Sequence, residues 1–363
     1  MSRPLTFYEF FAGGGMARLG LGDAWRCLFA NDFDPVKVAT YRANFGDDDI
    51  REGDVWQLSA EDLPGQADLA WASSPCQDFS LAGARAGLKG DRSSAFFGFW
   101  RLIEALNAEG RAPRAIVIEN VVGLLTSHGG SDFEALCRAL AGQGYRFGAL
   151  EIDASHFTPQ SRPRVFVVAS REVPPDLVGD GPFHTAAVRS AFEKLPAELK
   201  ASWCWWRVPA PPARNTDLAA LLEHGATWRP ENDTARLLSL MAPAHRARLA
   251  EGSVGAVFRR TRADGQRAEV RTDGLAGCLR TPRGGSSRQT IVAVTEGKVR
   301  SRLLTPREGA RLMGLPDSYR LPERTTAALH VVGDGVAVPV VRWLAEHLLE
   351  PLLRGAAPAI AAE

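Results

Sequence analysis

Cys76 is the residue of this sequence whose surroundings best suit a nucleophile. It follows the apolar segment Leu69–Ala72 and has Pro75, Gln77 and Ser80 as neighbours. A lone cysteine is more often a small buried hydrophobe, but these polar neighbours are poor company for a core residue. A thiol attacks as the thiolate, so it needs a lowered pKa or activation by the bound substrate. We therefore take Cys76 as a candidate nucleophile.

A carboxylate and two arginines accompany other apolar segments. Glu119 ends the run Ala115–Ile118, where a carboxylate must be hydrogen-bonded or functional because burying it bare is costly; capping a turn is the structural alternative. Arg162 and Arg164 stand just before the apolar run that begins at Val165. Alternation along a strand would point both guanidiniums to one side, where they could bind phosphate or a base carbonyl. A solvated charge pair is the alternative.

A glycine cluster and two aspartates suggest a binding site for a nucleoside. Glycines 13–15 follow the first apolar run, as in a strand-to-helix turn that lets the backbone approach a ligand. The dinucleotide pattern G-x-G-x-x-G fails, because its last position is Arg18. Asp32 lies where α/β folds place a carboxylate on a ribose diol, and Asp54 could accept a hydrogen bond from an adenine amino group. A tight turn without ligand is the alternative.

These residues follow segments that alternate as strands and helices over about residues 1–170, which predicts an α/β fold with a parallel sheet. Ligands of such a sheet bind at the carboxyl ends of its strands. The predicted strands are Leu5–Phe10, Cys27–Ala30, Leu69–Ala72, Ala115–Glu119, Gly148–Asp153 and Val165–Ala169. The predicted helices are Pro35–Asn44, Phe96–Ala108, Asp132–Ala141 and a final helix from Val336 to Leu353.

Taken in order, the motifs resemble the DNA cytosine-5 methyltransferase family. The shared blocks are Phe-Ala-Gly-x-Gly from Phe11, Pro-Cys-Gln-x-Phe-Ser from Pro75, Glu-Asn-Val from Glu119, Gln-x-Arg-x-Arg from Gln160, Arg-Thr-Pro from Arg280, the stretch 304–312 and Gly-Asp-Gly-Val from Gly333. They cover about residues 5–170 and 278–350. The resemblance implies a Rossmann-like methyltransferase sheet that uses S-adenosylmethionine, with a smaller, irregular target-recognition domain.

The resemblance also implies a mechanism on a cytosine swung out of double-stranded DNA. Cys76 would add to C6 of the base and Glu119 would protonate or hydrogen-bond N3. Arg164, with Arg162, would contact the base carbonyl and the backbone. C5 would then take the methyl group, and loss of the C5 proton would expel Cys76.

Binding residues carry over from the family position by position. The cofactor would contact Phe11, Ala12, Gly13, Gly15, Asp32, Phe33, Asp54, Val55, Pro75 and Val336. DNA would contact Gln77, Ser80, Arg92, Arg259, Arg260, Arg280 and Thr281. Asp334 stands where the family usually has asparagine, and Met16 replaces the second glycine of the usual pair.

The family places target recognition in the middle segment, so we expect residues 1–174 and 290–363 to form the catalytic domain and 175–289 the recognition domain. Arginines at 259, 260, 262, 267 and 271 suit a surface that faces DNA. A solvated strand pair is the alternative.

The bulk composition restricts the class of protein. The net charge is +1 with 43 basic and 42 acidic residues, so any nucleic-acid surface must be local. The five scattered cysteines argue against a disulfide framework and a structural zinc site. We expect a cytoplasmic, monomeric enzyme without a membrane span, a metal or a signal segment. Its partner is either a cognate restriction endonuclease encoded nearby or none, as for an orphan regulator.

Three alternative functions compete with this interpretation. An RNA cytosine-5 methyltransferase of the same fold would carry a Cys-Phe-Thr tripeptide, which the sequence lacks. A non-catalytic DNA-binding homologue would not need Cys76, Glu119 and Arg164 together. A nicotinamide oxidoreductase is disfavoured by the glycine pattern and by the lack of an obvious histidine for hydride transfer.

Overall fold

The computed structural model describes residues 3–74, 95–262, 265–280 and 288–355. Its strands are β1 (Leu5–Phe10), β2 (Trp25–Asp32), β3 (Ile50–Glu52), β4 (Leu69–Ala72), β5 (Ala115–Val121), β6 (Arg146–Asp153), β7 (Pro163–Ser170), β8 (Val254–Arg262), β9 (Gly265–Arg271), β10 (Thr290–Thr295) and β11 (Lys298–Leu303). All six predicted strands are confirmed.

The helices include the three that were predicted between strands. They are α1 (Met16–Leu21), α2 (Pro35–Phe45), α3 (Ala95–Ala108), α4 (Ser131–Gly142), α5 (Ala186–Lys194), α6 (Ala197–Lys200), α7 (Glu231–Ser239), α8 (Pro243–Arg246), α9 (Pro306–Leu312), α10 (Thr325–Asp334), α11 (Val338–Leu344) and α12 (Glu350–Arg354). A π-helical turn, Ala345–Leu349, joins α11 to α12. The final helix thus begins at Val338, two residues after the predicted start.

The chain divides into two compact units. The first contains residues 1–152, 163–211 and 340–363, and the second contains residues 153–162 and 212–339. The first unit therefore includes segment 175–211, and the second includes 290–339. The division of the chain into a catalytic and a recognition domain by function stays a prediction.

The first unit is built on a seven-stranded sheet of order β3-β2-β1-β4-β5-β7-β6. Strands β1 to β5 run parallel. All residues of β1 and β4 are buried, as expected for parallel strands covered by helices on both faces. Sequence and structure therefore agree on an α/β fold.

Strand β7 departs from the predicted parallel arrangement, because it runs antiparallel to β5. Residues 154–162, between β6 and β7, are too few for the crossover that a parallel return requires. The antiparallel direction places the start of β7, with Arg164, opposite Val121 at the carboxyl end of β5.

The second unit contains a four-stranded sheet of order β11-β10-β8-β9, whose paired strands are antiparallel. A small apolar core on one face joins Leu237 and Met241 to Val257, Ala268, Val270 and Val292. Helix α9 begins with a capping box, in which Thr305 accepts from the amide of Glu308 and Glu308 accepts from the amide of Thr305.

One helical run in the described part of the chain, Thr325–Arg354, is long and apolar enough to cross a membrane by length and composition. Its most apolar window is 61% buried inside the protein, which is typical of a core helix. Burial against protein accounts for its apolar character.

Candidate active site at the carboxyl edge of the sheet

The parallel direction of β1 to β5 brings the motif residues to one edge of the first unit. The glycine turn follows β1, Asp32 ends β2 and Phe33 comes next, Asp54 follows β3, and Glu119 lies near the carboxyl end of β5. Pro75, Cys76, Gln77, Ser80, Arg92 and Thr281 lie outside the described residues. Ser73 and Ser74, which lead to the segment that carries Cys76, follow β4 at this edge.

Glu119 and Arg164 form an ion pair across β5 and β7. The Arg164 Nε atom lies 3.2 Å from Glu119 Oε1, and both side chains are largely buried, with exposed fractions of 16% and 9%. A buried carboxylate is stable when an opposite charge pairs with it. The structure thus brings together two of the four residues predicted to be catalytic.

Asn120 was missed as a positioning residue. Its side-chain amide donates to the carbonyl oxygen of Ser74 at 3.0 Å and to the Ser74 hydroxyl at 3.3 Å, and its carbonyl oxygen accepts from Val121. Both Asn120 and Ser74 are buried. Asn120 therefore fixes the point where the chain leaves β4 toward Cys76. Its place beside Glu119 was the only signal in the sequence.

Arg162 has different partners from Arg164, although alternation predicted that the two would act together. It is buried in the second unit and donates to the carbonyl oxygens of Leu279, Gly333 and Gly335 at 2.7–2.9 Å. The reason is that Arg162 precedes β7, so strand alternation does not control its side chain. Its contacts give it a structural role, because they hold its own segment to Leu279 and to the segment of Gly333 and Gly335.

The glycine turn and the ends of β2 and β3 are tied together by hydrogen bonds. Asp32 accepts from the amide of Gly13 at 2.8 Å and from that of Asp34 at 2.9 Å. Asn31 donates to the carbonyl oxygens of Arg51 and Gly53, both at 3.0 Å. Burial raises the pKa of Asp32, although the two amides oppose that shift. These hydrogen bonds hold together the segments that follow β1, β2 and β3 at the sheet edge.

The backbone of the glycine turn adopts left-handed conformations. Phe11, Gly13 and Gly15 have φ values of 58°, 56° and 79°. Positive φ is ordinary for glycine but rare for a residue with a side chain, such as Phe11. Where it occurs, it is often found at functional sites. Ala12 is buried, and its amide donates to Asn31. Phe11 is thus a strained residue at the predicted cofactor site.

Two exposed aromatic rings stand at the ends of β2 and β3. Phe33 is 67% exposed and Trp56 is 36% exposed. Asp54 accepts from the amide of Trp56 at 3.0 Å, while Val55 between them is buried. Arg101 lies against the Trp56 ring, 5.8 Å from its centroid. Trp56 was missed by sequence reasoning, although its place two residues after Asp54 could have indicated it.

The other predicted contacts lie in the second unit. Val336 is buried, Arg280 is exposed, and Arg259 and Arg260 are neighbours on β8.

Three of the four described cysteines differ from a reactive thiol. Cys27, Cys137 and Cys204 are buried, and burial raises the pKa of Cys27 to about 12 and that of Cys204 to about 11. Such thiols stay protonated at neutral pH and are poor nucleophiles. None of these three suits the chemistry for which Cys76 is the candidate.

Comparison with known proteins identifies the family. Residues 5–350 match the C-5 cytosine-specific DNA methylase family. The chain is 29% identical over 351 residues to the type II methyltransferase M.BsuFI of Bacillus subtilis. The matched region covers 96% of this chain and 73% of that protein. It is 27% identical over 353 residues to the type II methyltransferase M.HhaI of Haemophilus parahaemolyticus, covering 95% and 94%.

Solved structures share the fold. The S. pombe Dnmt2 methyltransferase superposes with a TM-score of 0.61 at 18% identity, covering 96% of this chain and 99% of that one. The Entamoeba histolytica methyltransferase EhMeth gives a TM-score of 0.62 at 14% identity, covering 97% and 99%. With the match over residues 5–350, the chain belongs to the family of C-5 cytosine-specific DNA methylases.

Proposed function

We propose that this enzyme transfers a methyl group from S-adenosylmethionine to C5 of a flipped-out cytosine in a short, specific sequence of double-stranded DNA. The observation that carries the proposal is the buried Glu119–Arg164 pair, next in sequence to Asn120, which holds Ser74 two residues after β4. Family membership supports the reaction class. The pair supports the chemistry, because a carboxyl group and a guanidinium complement the polar edge of a cytosine.

The residues at the sheet edge fit an adenosine-containing cofactor. The exposed rings of Phe33 and Trp56 can stack on a purine, and Asp54 offers a hydrogen-bond acceptor. Asp32 ends β2, where α/β folds place the carboxylate that binds the ribose hydroxyls. The open glycine turn can receive the amino-acid part, since a Cβ on Gly13 would meet nothing within 4 Å. When bound, S-adenosylmethionine supplies a methyl group on a sulfonium sulfur.

In the proposed mechanism Cys76, Glu119 and Arg164 have distinct roles. The thiolate of Cys76 adds to C6, which raises the electron density at C5. Glu119, once it has taken up a proton from solvent, donates a hydrogen bond or that proton to N3, which offsets the charge that develops in the ring. Arg164 keeps Glu119 in place and contacts the base carbonyl. After C5 has accepted the methyl group, loss of the C5 proton restores the ring and expels the Cys76 thiolate.

The contacts of Arg162 suggest a narrower role than sequence reasoning gave it. Because its terminal nitrogens bind carbonyl oxygens of the second unit, we assign the catalytic arginine to Arg164 and a positioning role to Arg162. For DNA, the proposal keeps Gln77, Ser80 and Arg92 as contacts from the segment after β4, and Arg259, Arg260, Arg280 and Thr281 as contacts from the recognition region.

The relatives named type II methyltransferases support a role in modification. We propose that the enzyme acts as a monomer on DNA in the cytoplasm, and that it protects target sites from a restriction endonuclease of the same specificity. Protection is measured by digesting methylated plasmid with endonucleases that cut the identified motif.

Bisulfite sequencing of plasmid DNA from cells that express the chain tests the reaction. We expect protected cytosines in one short motif, and none with Cys76→Ala. The matched control is Cys204→Ala, which removes a buried thiol of raised pKa and should leave methylation intact. Glu119→Gln should lower the single-turnover rate by about 10²- to 10⁴-fold, the usual contribution of a positioned acid.

Two outcomes would contradict the proposal. Methylation by Cys76→Ala would remove the covalent step. Unprotected DNA from every variant, including the wild type, would point to an RNA substrate or a silent homologue, and the same assay on tRNA would separate those two.

A further inference from the structure

The hairpin of β8 and β9 carries different residues on its two faces. Arg260 pairs with Arg267 across the strands, and Phe258 pairs with Glu269. Since side chains alternate along a strand, these four share one face. The opposite face buries Val257, Ala268 and Val270 in the small core of the second unit. The charged face is therefore the outward one.

Arg260 and Arg267 form an unusual cross-strand pair. Both are exposed and stand directly opposite each other. Glu269 on the same face forms an ion pair with Arg260, which offsets the repulsion between the two arginines. A face that presents two exposed arginines beside an aromatic ring suits contact with DNA.

Arg260 is held more firmly than an ordinary surface arginine. Its guanidinium carbon lies 5.0 Å from the centroid of the Phe258 ring. Its Nε atom lies 3.4 Å from Glu269 Oε2, while 56% of the side chain remains exposed. A stacked guanidinium with a carboxylate at Nε keeps one orientation, so less conformational entropy is lost when it binds.

Neither contact uses the two terminal amino groups of Arg260. These groups can donate in parallel to O6 and N7 of guanine, the commonest specific contact in the major groove. A phosphate can also accept from both groups, but its tetrahedral oxygens allow several orientations, whereas a guanine edge requires the guanidinium to lie in the plane of the base pair. The stack and the ion pair therefore favour recognition of a base over recognition of the backbone.

We propose that Arg260 reads a guanine of the target sequence through the major groove, with Phe258 and Glu269 as its positioning residues. The inference rests on the proposed methylation of duplex DNA and adds the identity of one base in the target. The role is assigned to Arg260 and not to Arg259, because the cross-strand partner of Arg259, Ala268, lies on the face that packs in the core.

Synthetic duplexes test this inference once bisulfite sequencing has given the wild-type motif. Each guanine of the motif is replaced in turn by 7-deazaguanine, which lacks the N7 acceptor. For the wild type we expect kcat/KM to fall about 10- to 100-fold at one guanine position. Arg260→Lys, which keeps the charge and loses the fork, should show a similar fall on the unmodified duplex. It should show no further fall with 7-deazaguanine at that position.

Arg300→Lys is the matched control, because Arg300 is an exposed arginine on β11 of the same sheet. It should retain both the activity and the 7-deazaguanine response of the wild type. Phe258→Leu keeps apolar volume but removes the ring face, and should reduce that response while the melting temperature changes little. This second variant keeps the test decisive if Arg260→Lys folds poorly.

The inference is overturned if Arg260→Lys lowers kcat/KM equally on all duplexes and still responds to 7-deazaguanine, since that is the behaviour of a phosphate contact. It is also overturned if no guanine position is sensitive in the wild type. Failure of the proposed function looks different, because the wild type would then methylate no duplex at all.

Discussion

Glu9 is an unusual carboxyl group inside β1. It is 1% exposed, and its Oε2 atom has no hydrogen-bond partner among the described residues, while Oε1 accepts weakly from the Arg18 amide at 3.4 Å. Burial raises the pKa of Glu9 to about 8, although the nearby Arg18 guanidinium opposes the shift. The group is therefore mostly protonated at neutral pH, directly before the glycine turn.

The raised pKa of Glu9 predicts a stability that falls with rising pH. Between about pH 4.5 and about 8 the folded protein holds a proton that the unfolded chain has lost. The contribution is fully present below pH 4.5 and is lost as the pH passes 8. Glu9→Gln should reduce this decline, which is on the order of a few kcal/mol at most. Urea unfolding at about pH 5, 7 and 9 measures it.

Glu104→Gln is the control for this prediction, because Glu104 is exposed on α3. It should leave the pH dependence of the unfolding free energy unchanged. An equal slope in wild type and Glu9→Gln would show that Glu9 ionises inside the fold without energetic consequence.

At the scale of elements, the turn between β1 and α1 depends on Gly15. Its φ is 79°, and an added Cβ would overlap the Phe45 ring and lie 2.9 Å from Cδ2 of Tyr41. Tyr41 and Phe45 are neighbours on α2, with ring centroids 5.1 Å apart. The glycine thus allows α2 to approach the turn that would hold the cofactor.

Gly15→Ala should destabilise the protein through both backbone strain and this overlap. We expect a loss of about 2–4 kcal/mol in the free energy of unfolding, since either effect contributes about 1–3 kcal/mol. Gly110→Ala isolates the strain, because Gly110 has a φ of 73° and open space around it. Thermal melting of both variants measures the difference. Equal losses would mean that the Phe45 ring yields to the added methyl group.

On the scale of the whole molecule, the end of the chain completes the unit in which the chain begins. Trp25 Nε1 donates to Glu350 at 3.1 Å, Arg342 donates to the carbonyl oxygen of Leu21 at 2.8 Å, and Arg114 donates to that of Leu353 at 2.9 Å. The first unit thus depends on residues separated by the whole of the second.

Leu348→Ala should therefore destabilise the sheet unit although it lies far along the chain. Leu348 is fully buried, and removing such a side chain costs about 2–5 kcal/mol. Glu346→Ala, two residues away and exposed, removes only a surface ion pair with Arg342 and should change the melting temperature little. Comparable losses in the two variants would show that this helix is not part of the core.

Much of the fold could be predicted because buried parallel strands are continuous apolar runs, as β1, β4 and β5 are. The same reasoning located the glycine turn, Asp32, Asp54 and Glu119 at strand ends. It missed Trp56 and Asn120, since exposure and hydrogen-bond partners depend on neighbours distant in sequence. It also paired Arg162 with Arg164, because alternation was applied one residue before the strand begins.

The sequence by itself determined the strands of the sheet unit, the family and the candidate chemical groups, because these follow from local periodicity and from residue types in order. Only the tertiary structure decided that β7 runs antiparallel and so brings Arg164 to Glu119. It likewise decided that Asn120 holds Ser74, that Arg162 binds carbonyl oxygens, and that Phe258 and Glu269 fix Arg260. These contacts join segments that are distant in sequence, so local sequence patterns cannot predict them.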